Sequence, residues 1–134
     1  MASRLVAVQA MTDSTICARA FDFAVRIVKL CERIEVRGFG ARHIARQLIR
    51  CGTSIGANAE EAQEGQSKAD YIAKMCVSSK EARETGYWLR LAKAVGAVKR
   101  DEVEWELQEA NELRFMIRAA IRTARSSSDR GHIS

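Results

Sequence analysis

Not one of the 134 residues is proline, and apolar residues recur at steps of three and four along most of the chain. Proline marks the turns and edge strands of most β proteins, so its absence over this length argues against that class. Unbroken three-four spacing, in contrast, is the pattern of a helix that buries one face. The clearest seam reads Ile44, Leu48, Cys51, Ile55, Asn58, Ala62. Its steps alternate four and three, as in a bundle helix packed at a shallow crossing angle. The chain is therefore expected to be all-α.

Four segments carry such seams. The first is expected to begin at the Asp13-Ser14-Thr15 cluster, which offers N-cap oxygens, and to run through Ala20, Phe23, Ala24, Ile27, Leu30, Cys31 and Ile34. Gly38-Phe39-Gly40 ends it. The second runs from about residue 41 to 64. Ser67-Lys68-Ala69-Asp70 opens the third with a serine cap and an acid three residues on; its seam is Ile72, Met75, Ser79, Ala82, Gly86 and Leu89, and Gly96 stops it. The fourth opens on Asp101-Glu102-Val103-Glu104 and continues to Arg125 through Val103, Leu107, Ala110, Leu113, Ile117, Ala120 and Ala124. Short connections make neighbours antiparallel, which predicts an up-down-up-down antiparallel four-helix bundle over residues 15–125. Residues 1–14 are expected to be a flexible extension and 126–134 a disordered tail.

Two features interrupt the ordinary helix-two pattern. Gly52 and Gly56 stand four apart on one face, each at a cost of about 1 kcal/mol against alanine. Their lack of a Cβ suits the close approach of another helix. Asn58 sits on the apolar seam, where a buried amide needs partners and commonly sets register or oligomer state.

The net charge of +5 comes from the first half: residues 1–58 hold nine Lys and Arg against four acids, while 59–134 hold thirteen of each. Arg42, Arg46 and Arg50 stand at four-residue steps on helix two. Arg26, Lys29, Arg33 and Arg37 form a row on helix one, and Arg114, Arg118, Arg122 and Arg125 one on helix four. Such a row is often only a solvated face. Here the near absence of acids from the first two rows departs from the mixed signs of a solubility surface and suits a phosphate backbone. Tyr87, Trp88 and Trp105 are not interleaved with these rows, so stacking on bases is not expected.

No apolar run is long enough to span a membrane, and the mild Leu5–Met11 stretch is short for a secretory signal. Met11-Thr-Asp-Ser also fits a second translation start. Cys17, Cys31, Cys51 and Cys76 lack metal-ligand spacing and read as core thiols of a cytoplasmic protein. His43 and His132 build no ligand pair. Glu60, Glu61, Glu64, Glu81 and Glu84 lack the Glu-x-x-His pairs of a carboxylate-bridged metal bundle, and Glu81 and Glu84 are expected to meet arginines or Asn58. No catalytic constellation, metal or cofactor is predicted.

Gln47-Leu48-Ile49-Arg50 and Ser54-Ile55-Gly56-Ala57-Asn58-Ala59-Glu60-Glu61-Ala62 resemble a core motif of the four-helix bundle family typified by proteins encoded in intervening sequences of bacterial 23S ribosomal RNA genes. Ser67-Lys68-Ala69-Asp70-Tyr71-Ile72, Lys80-Glu81-Ala82-Arg83-Glu84-Thr85 and Trp88-Leu89 fit the same family, although Ala59-Glu60-Glu61-Ala62 departs from its usual Asn-Ile-Ala-Glu-Gly ending. The resemblance covers roughly residues 15–125. It implies a non-enzymatic homo-oligomer, typically a pentamer, akin to the basic accessory proteins of diversity-generating retroelements that bind reverse transcriptase and nucleic acid. It carries Ser54, Asn58, Glu81 and Trp88 as motif positions of structural role.

The expected function is an oligomeric, non-enzymatic accessory factor that binds RNA or DNA backbone through Arg42, Arg46 and Arg50, supported by Arg26, Arg33, Arg118 and Arg122. The alternative is a protein-docking module, with a reverse transcriptase or another partner and no nucleic-acid contact.

Overall fold

The computed structural model describes residues 2–131. Helix α1 spans Ala2–Ile34, a 3-10 turn follows at Glu35–Arg37, and α2 spans Phe39–Gln63. After these come α3, Lys68–Ala94, and α4, Glu104–Gly131. Each helix packs on the next, and α4 returns against α1. Cross-helix pairs run in opposite register: Arg19 meets Glu109 while Arg37 meets Glu102, and Arg50 meets Glu84 while Lys74 meets Glu61. This is the expected antiparallel four-helix bundle.

Local chemistry sets most of the boundaries. Ser67 caps α3, its Oγ accepting the Asp70 N–H at 3.1 Å. The other end closes in a Schellman turn. Gly96 (φ +75°) takes the left-handed position, the Ala97 N–H donates to the Ala92 carbonyl at 2.9 Å, and the Gly96 N–H to that of Lys93 at 3.2 Å.

The start of α1 differs from expectation. Asp13 is not an N-cap; it lies inside a helix that already runs from Ala2. Its buried carboxylate accepts Gln9 Nε2 at 2.9 Å and the Tyr71 hydroxyl of α3 at 3.0 Å. With a tertiary partner for the carboxylate, and neither glycine nor proline before it, nothing obliges the helix to begin there. The predicted extension is therefore helical over residues 2–14. At the other end, α4 continues past Arg125 to Gly131, helped by Lys68 Nζ donating to Ser127 Oγ at 2.8 Å. Residues 132–134 of the predicted tail lie outside the described residues.

The core is filled by Ile16, Phe23, Ile27, Leu30 and Ile34 from α1, Leu48 and Ile55 from α2, Met75 and Leu89 from α3, and Leu113 and Ile117 from α4. Gly52 and Gly56 do admit a neighbour. A Cβ on Gly52 would stand 2.8 Å from Ile27 Cγ2, and one on Gly56 3.2 Å from Ala20 Cβ. The buried stripe of α2 passes through Ala59 rather than Asn58, which is half-buried and donates from Nδ2 to the Ser54 carbonyl at 2.8 Å. In α3 the inward positions are Ser78 and Thr85, not Ser79 and Gly86. Both hydroxyls are satisfied on backbone, Ser78 Oγ on the Ile55 carbonyl and Thr85 Oγ1 on that of Glu81, each at 2.7 Å. Small satisfied hydroxyls thus do the work expected of an apolar seam. All four cysteines are free thiols.

Candidate nucleic-acid interface

Three of the four cations of the helix-one row, Arg26, Arg33 and Arg37, are held in ion pairs, and Lys29 is exposed and forms none among the described residues. Down the α1–α4 seam, Glu102 just before α4 and Glu106, Glu109 and Glu112 on it meet arginines of α1 and of the 3-10 turn that follows it. Arg37 grips Glu102 at 2.8 and 3.0 Å, with Arg33 at 3.5 Å from the same carboxylate. Arg26 reaches Glu106 at 3.3 Å, and its guanidinium lies 4.0 Å from the centre of the Trp105 ring. Arg19 holds Glu109 at 2.5 and 3.0 Å and Glu112 at 3.2 Å. These bonds have electrostatic consequences. The Arg37 hydrogen bonds hold the Glu102 carboxyl down to about 2, and the Glu109 hydrogen bond raises Arg19 further above its ordinary value. Arg26 and Arg33 thus bridge helices through ion pairs while remaining half exposed. The missing acids of that row come from a segment some 70 residues away in sequence.

On α2 the row divides. Arg50 is engaged by α3, bridging Glu81 at 3.5 Å and Glu84. Arg42 and Arg46 are exposed and form no ion pair among the described residues. The motif residues surround the Arg50 clamp. Ser54 Oγ donates to the Arg50 carbonyl at 2.6 Å, and Trp88 Nε1 donates to Glu84 at 3.1 Å. Burial pushes the Glu81 carboxyl up, while Arg50 pulls it back. Glu81 and Glu84 therefore meet an arginine, as expected, and not Asn58.

The expectation that aromatics stand apart from the cations fails in three dimensions. Trp88 meets His43, the residue beside Arg42, at 5.6 Å and a steep 70°. Tyr87 meets Trp88 at 5.1 Å and 83°, and the Arg90 guanidinium lies 5.9 Å from the Tyr87 ring centre. Antiparallel packing of α2 on α3 brings together side chains about 45 positions apart, which no reading of one helix at a time reveals.

A further row was missed. Lys80, Arg83, Tyr87 and Arg90 stand at steps of three, four and three on the exposed face of α3, and residues so spaced are surface neighbours. In sequence the row looks like a mixed-sign face, because Glu81 and Glu84 fall within it. Glu81 and Glu84 instead turn to Arg50, and Lys80, Arg83 and Arg90 form no ion pair among the described residues. Arg118 and Arg122 are also exposed, on α4. Arg19, Arg26 and Arg33 of α1 are thus paired with acids of α4 and the turn before it, while Arg42, Arg46, Lys80, Arg83, Arg90, Arg118 and Arg122 form no ion pair among the described residues.

Among the described residues there is no group of three His, Cys, Asp or Glu that could hold a metal ion, and no helix is long and apolar enough to cross a membrane. At the far end of the bundle a cavity of about 730 Å³ lies between helix ends, lined by Gln9, Asp13, Tyr71, Lys68 and Arg122 among others.

Fold and surface together define a closed antiparallel four-helix bundle with ion pairs along its α1–α4 seam. Residues 12–119 match the 23S rRNA-intervening sequence protein family, and the chain belongs to it. A crystal structure of a protein of unknown function from the S23 ribosomal protein family of Bacteroides thetaiotaomicron is similar, with a TM-score of 0.78 and 34% identity, over 83% of this chain and 98% of that one. No curated protein matches.

Proposed function

We propose that this protein binds the phosphate backbone of nucleic acid without chemistry, as a cytoplasmic accessory factor. The observation that carries the reading is a cluster of cations: Arg42, Arg46, Lys80, Arg83 and Arg90 are exposed on α2 and α3 and form no ion pair among the described residues. Clustered cations of one sign raise local phosphate concentration and release counterions on binding. The contact set is accordingly narrower than the sequence suggested. Arg42 and Arg46 lead it, Arg118 and Arg122 extend it, and Arg26, Arg33 and Arg50 serve the fold. Assembly into a homo-oligomer, a pentamer by family resemblance, would repeat this cluster around a ring and strengthen its field.

The test is a fluorescence-anisotropy titration with a labelled oligonucleotide over a salt series. Wild-type affinity should fall steeply with salt. Arg42→Ala/Arg46→Ala should weaken binding and flatten the slope by about 1.4, at roughly 0.7 per single-strand phosphate contact. Arg26→Ala should leave the slope unchanged. No binding at low salt, or an unchanged slope in the double variant, refutes the reading.

A protein-docking role draws on a different observation. Phe21 and Phe115 are 61% and 66% exposed on the outer faces of α1 and α4, which is expensive for large apolar side chains facing water. A partner, or a second copy of the chain, retained after nuclease treatment and lost in Phe21→Ser would favour that role.

A further inference from the structure

The α2–α3 side carries more than charge. Two large rings stand in water there, each beside cations at helical-neighbour spacing. Phe39, 89% exposed, opens α2 three residues before Arg42 and four before His43. Tyr87, 49% exposed, lies on α3 four residues after Arg83 and three before Arg90. The surrounding packing holds the Tyr87 plane: Trp88 abuts it almost perpendicularly, and His43 abuts Trp88 in turn. The two helices are joined through that aromatic chain and through the Arg50 clamp on Glu81 and Glu84. Tyr87 is thus held in place, and Phe39 stands in water at the start of the helix that carries His43.

Pure backbone binding has no use for exposed rings. Phosphates are satisfied by guanidinium groups, and an unsatisfied aromatic face in water is a cost. An unpaired nucleobase has a π-face that is itself poorly hydrated and stacks on tyrosine, phenylalanine and arginine alike. Bases within a duplex already stack on each other and cannot reach such rings without unpairing. Rings flanked by cations at three- and four-residue spacing are therefore matched to a strand whose bases are free and whose phosphates run alongside.

We propose that the α2–α3 side is a stacking platform for single-stranded nucleic acid, with Phe39 and Tyr87 each taking an unpaired base while Arg42, Arg46, Arg83 and Arg90 follow the phosphates. This rests on the backbone-binding reading above and adds to it the strandedness of the ligand. It assigns no base-reading code, since the ring faces discriminate weakly among bases.

Three labelled probes of equal length separate the two claims: an oligothymidylate, an abasic strand with the same phosphates, and a duplex. Wild-type protein should bind the oligothymidylate at least about 25-fold more tightly than either other probe, since each of the two stacked bases is worth about fivefold or more. Phe39→Ala and Tyr87→Ala should each lose about fivefold or more on the oligothymidylate and little on the abasic strand, with unchanged salt slope. Tyr87→Phe should restore wild-type binding. Phe39 is nearly all in water, so its variant tests the platform even if loss of Tyr87 disturbs Trp88. Equal affinity for all three probes, or a thymidylate preference that survives both ring variants, overturns the stacking platform and leaves backbone binding intact. Failure of every probe at low salt overturns both.

Discussion

Replacing Gly52 with alanine puts two opposing effects against each other, and the structure decides the sign. Alanine in place of glycine within a helix is worth about 1 kcal/mol through backbone entropy. At Gly52, however, the added Cβ would stand 2.8 Å from Ile27 Cγ2 and 3.1 Å from its Cγ1. Ile27 is fully buried and β-branched, so a helix allows its side chain essentially one χ1 well, and it cannot swing aside. Relief has to come from moving α1 against α2. Overpacking of this kind costs about 1–3 kcal/mol, and a contact below 3 Å with a stiff neighbour belongs at the upper end. The net expectation is a loss of about 1–2 kcal/mol. Gly86 supplies the control, because a Cβ there meets nothing within 4 Å. Gly86→Ala should stabilise by about 1 kcal/mol, so the same chemical change should differ by about 2–3 kcal/mol between sites. Urea unfolding followed by circular dichroism at fixed protein concentration reads both. Equal stability of the two variants, or a Gly52→Ala protein more stable than wild type, would refute the close-approach argument.

Two other expectations concern titratable groups. Glu102 is held down to about 2, chiefly by hydrogen bonds from Arg37, against an ordinary value of 4.5. Its folded-state pKa is depressed, so the unfolded chain binds the proton first as pH falls. The stabilisation is complete above about 4.5 and is lost between there and 2. Glu102→Gln should be less stable than wild type at neutral pH, with the gap closing across that interval in urea titrations; a constant gap would count against the Arg37–Glu102 link. Cys31 is pushed up to about 12, mainly by burial, and only the thiolate reacts readily. Iodoacetamide applied to the native protein at neutral pH should leave Cys31 unmodified while the half-buried Cys76 reacts. Peptide mass mapping that finds the two equally labelled would contradict the assigned burial.

Helix number, order and pairing direction were legible because they rest on periodicity and on punctuation by glycine and serine, both local properties. The Gly52–Gly56 face was legible for the same reason: glycine mid-helix has few purposes other than close approach. Asp13 was misread because capping and tertiary hydrogen bonding call for the same residue type, and only the position of Tyr71 decides between them. The α3 seam was displaced by one residue because Ser78 and Thr85 bury their hydroxyls on backbone carbonyls, so hydropathy understates how far inside they are. For the candidate site, exposure of Arg42 and Arg46 followed from spacing alone. The pairing of Arg26, Arg33 and Arg50, and the emergence of Arg83 and Arg90 as free cations, depend on contacts between helices. A one-dimensional count of charges has no access to them.

The ion pairing along the α1–α4 seam follows from the topology. Acids are favoured in the first turns of a helix and cations in the last, because each opposes the local end of the helix dipole. This sequence obeys that preference on α4, with Glu104 and Glu106 in its first turn and Arg114, Arg118 and Arg122 further along. An antiparallel bundle lays the start of α4 beside the end of α1, where Arg26, Arg33 and Arg37 stand. Acids of α4 are thereby spent on α1, in ion pairs whose glutamates are far more buried than their arginines. A half-exposed pair of this kind adds little stability, but removing the arginine would strand a buried carboxylate, so the pairing is hard to undo. What remains on α2 and α3 is a set of cations beside two exposed rings. The bundle's own electrostatic needs thus account for the neutral seam, and leave Arg42, Arg46, Arg83 and Arg90, with Arg118 and Arg122 of α4, exposed and without an ion pair among the described residues.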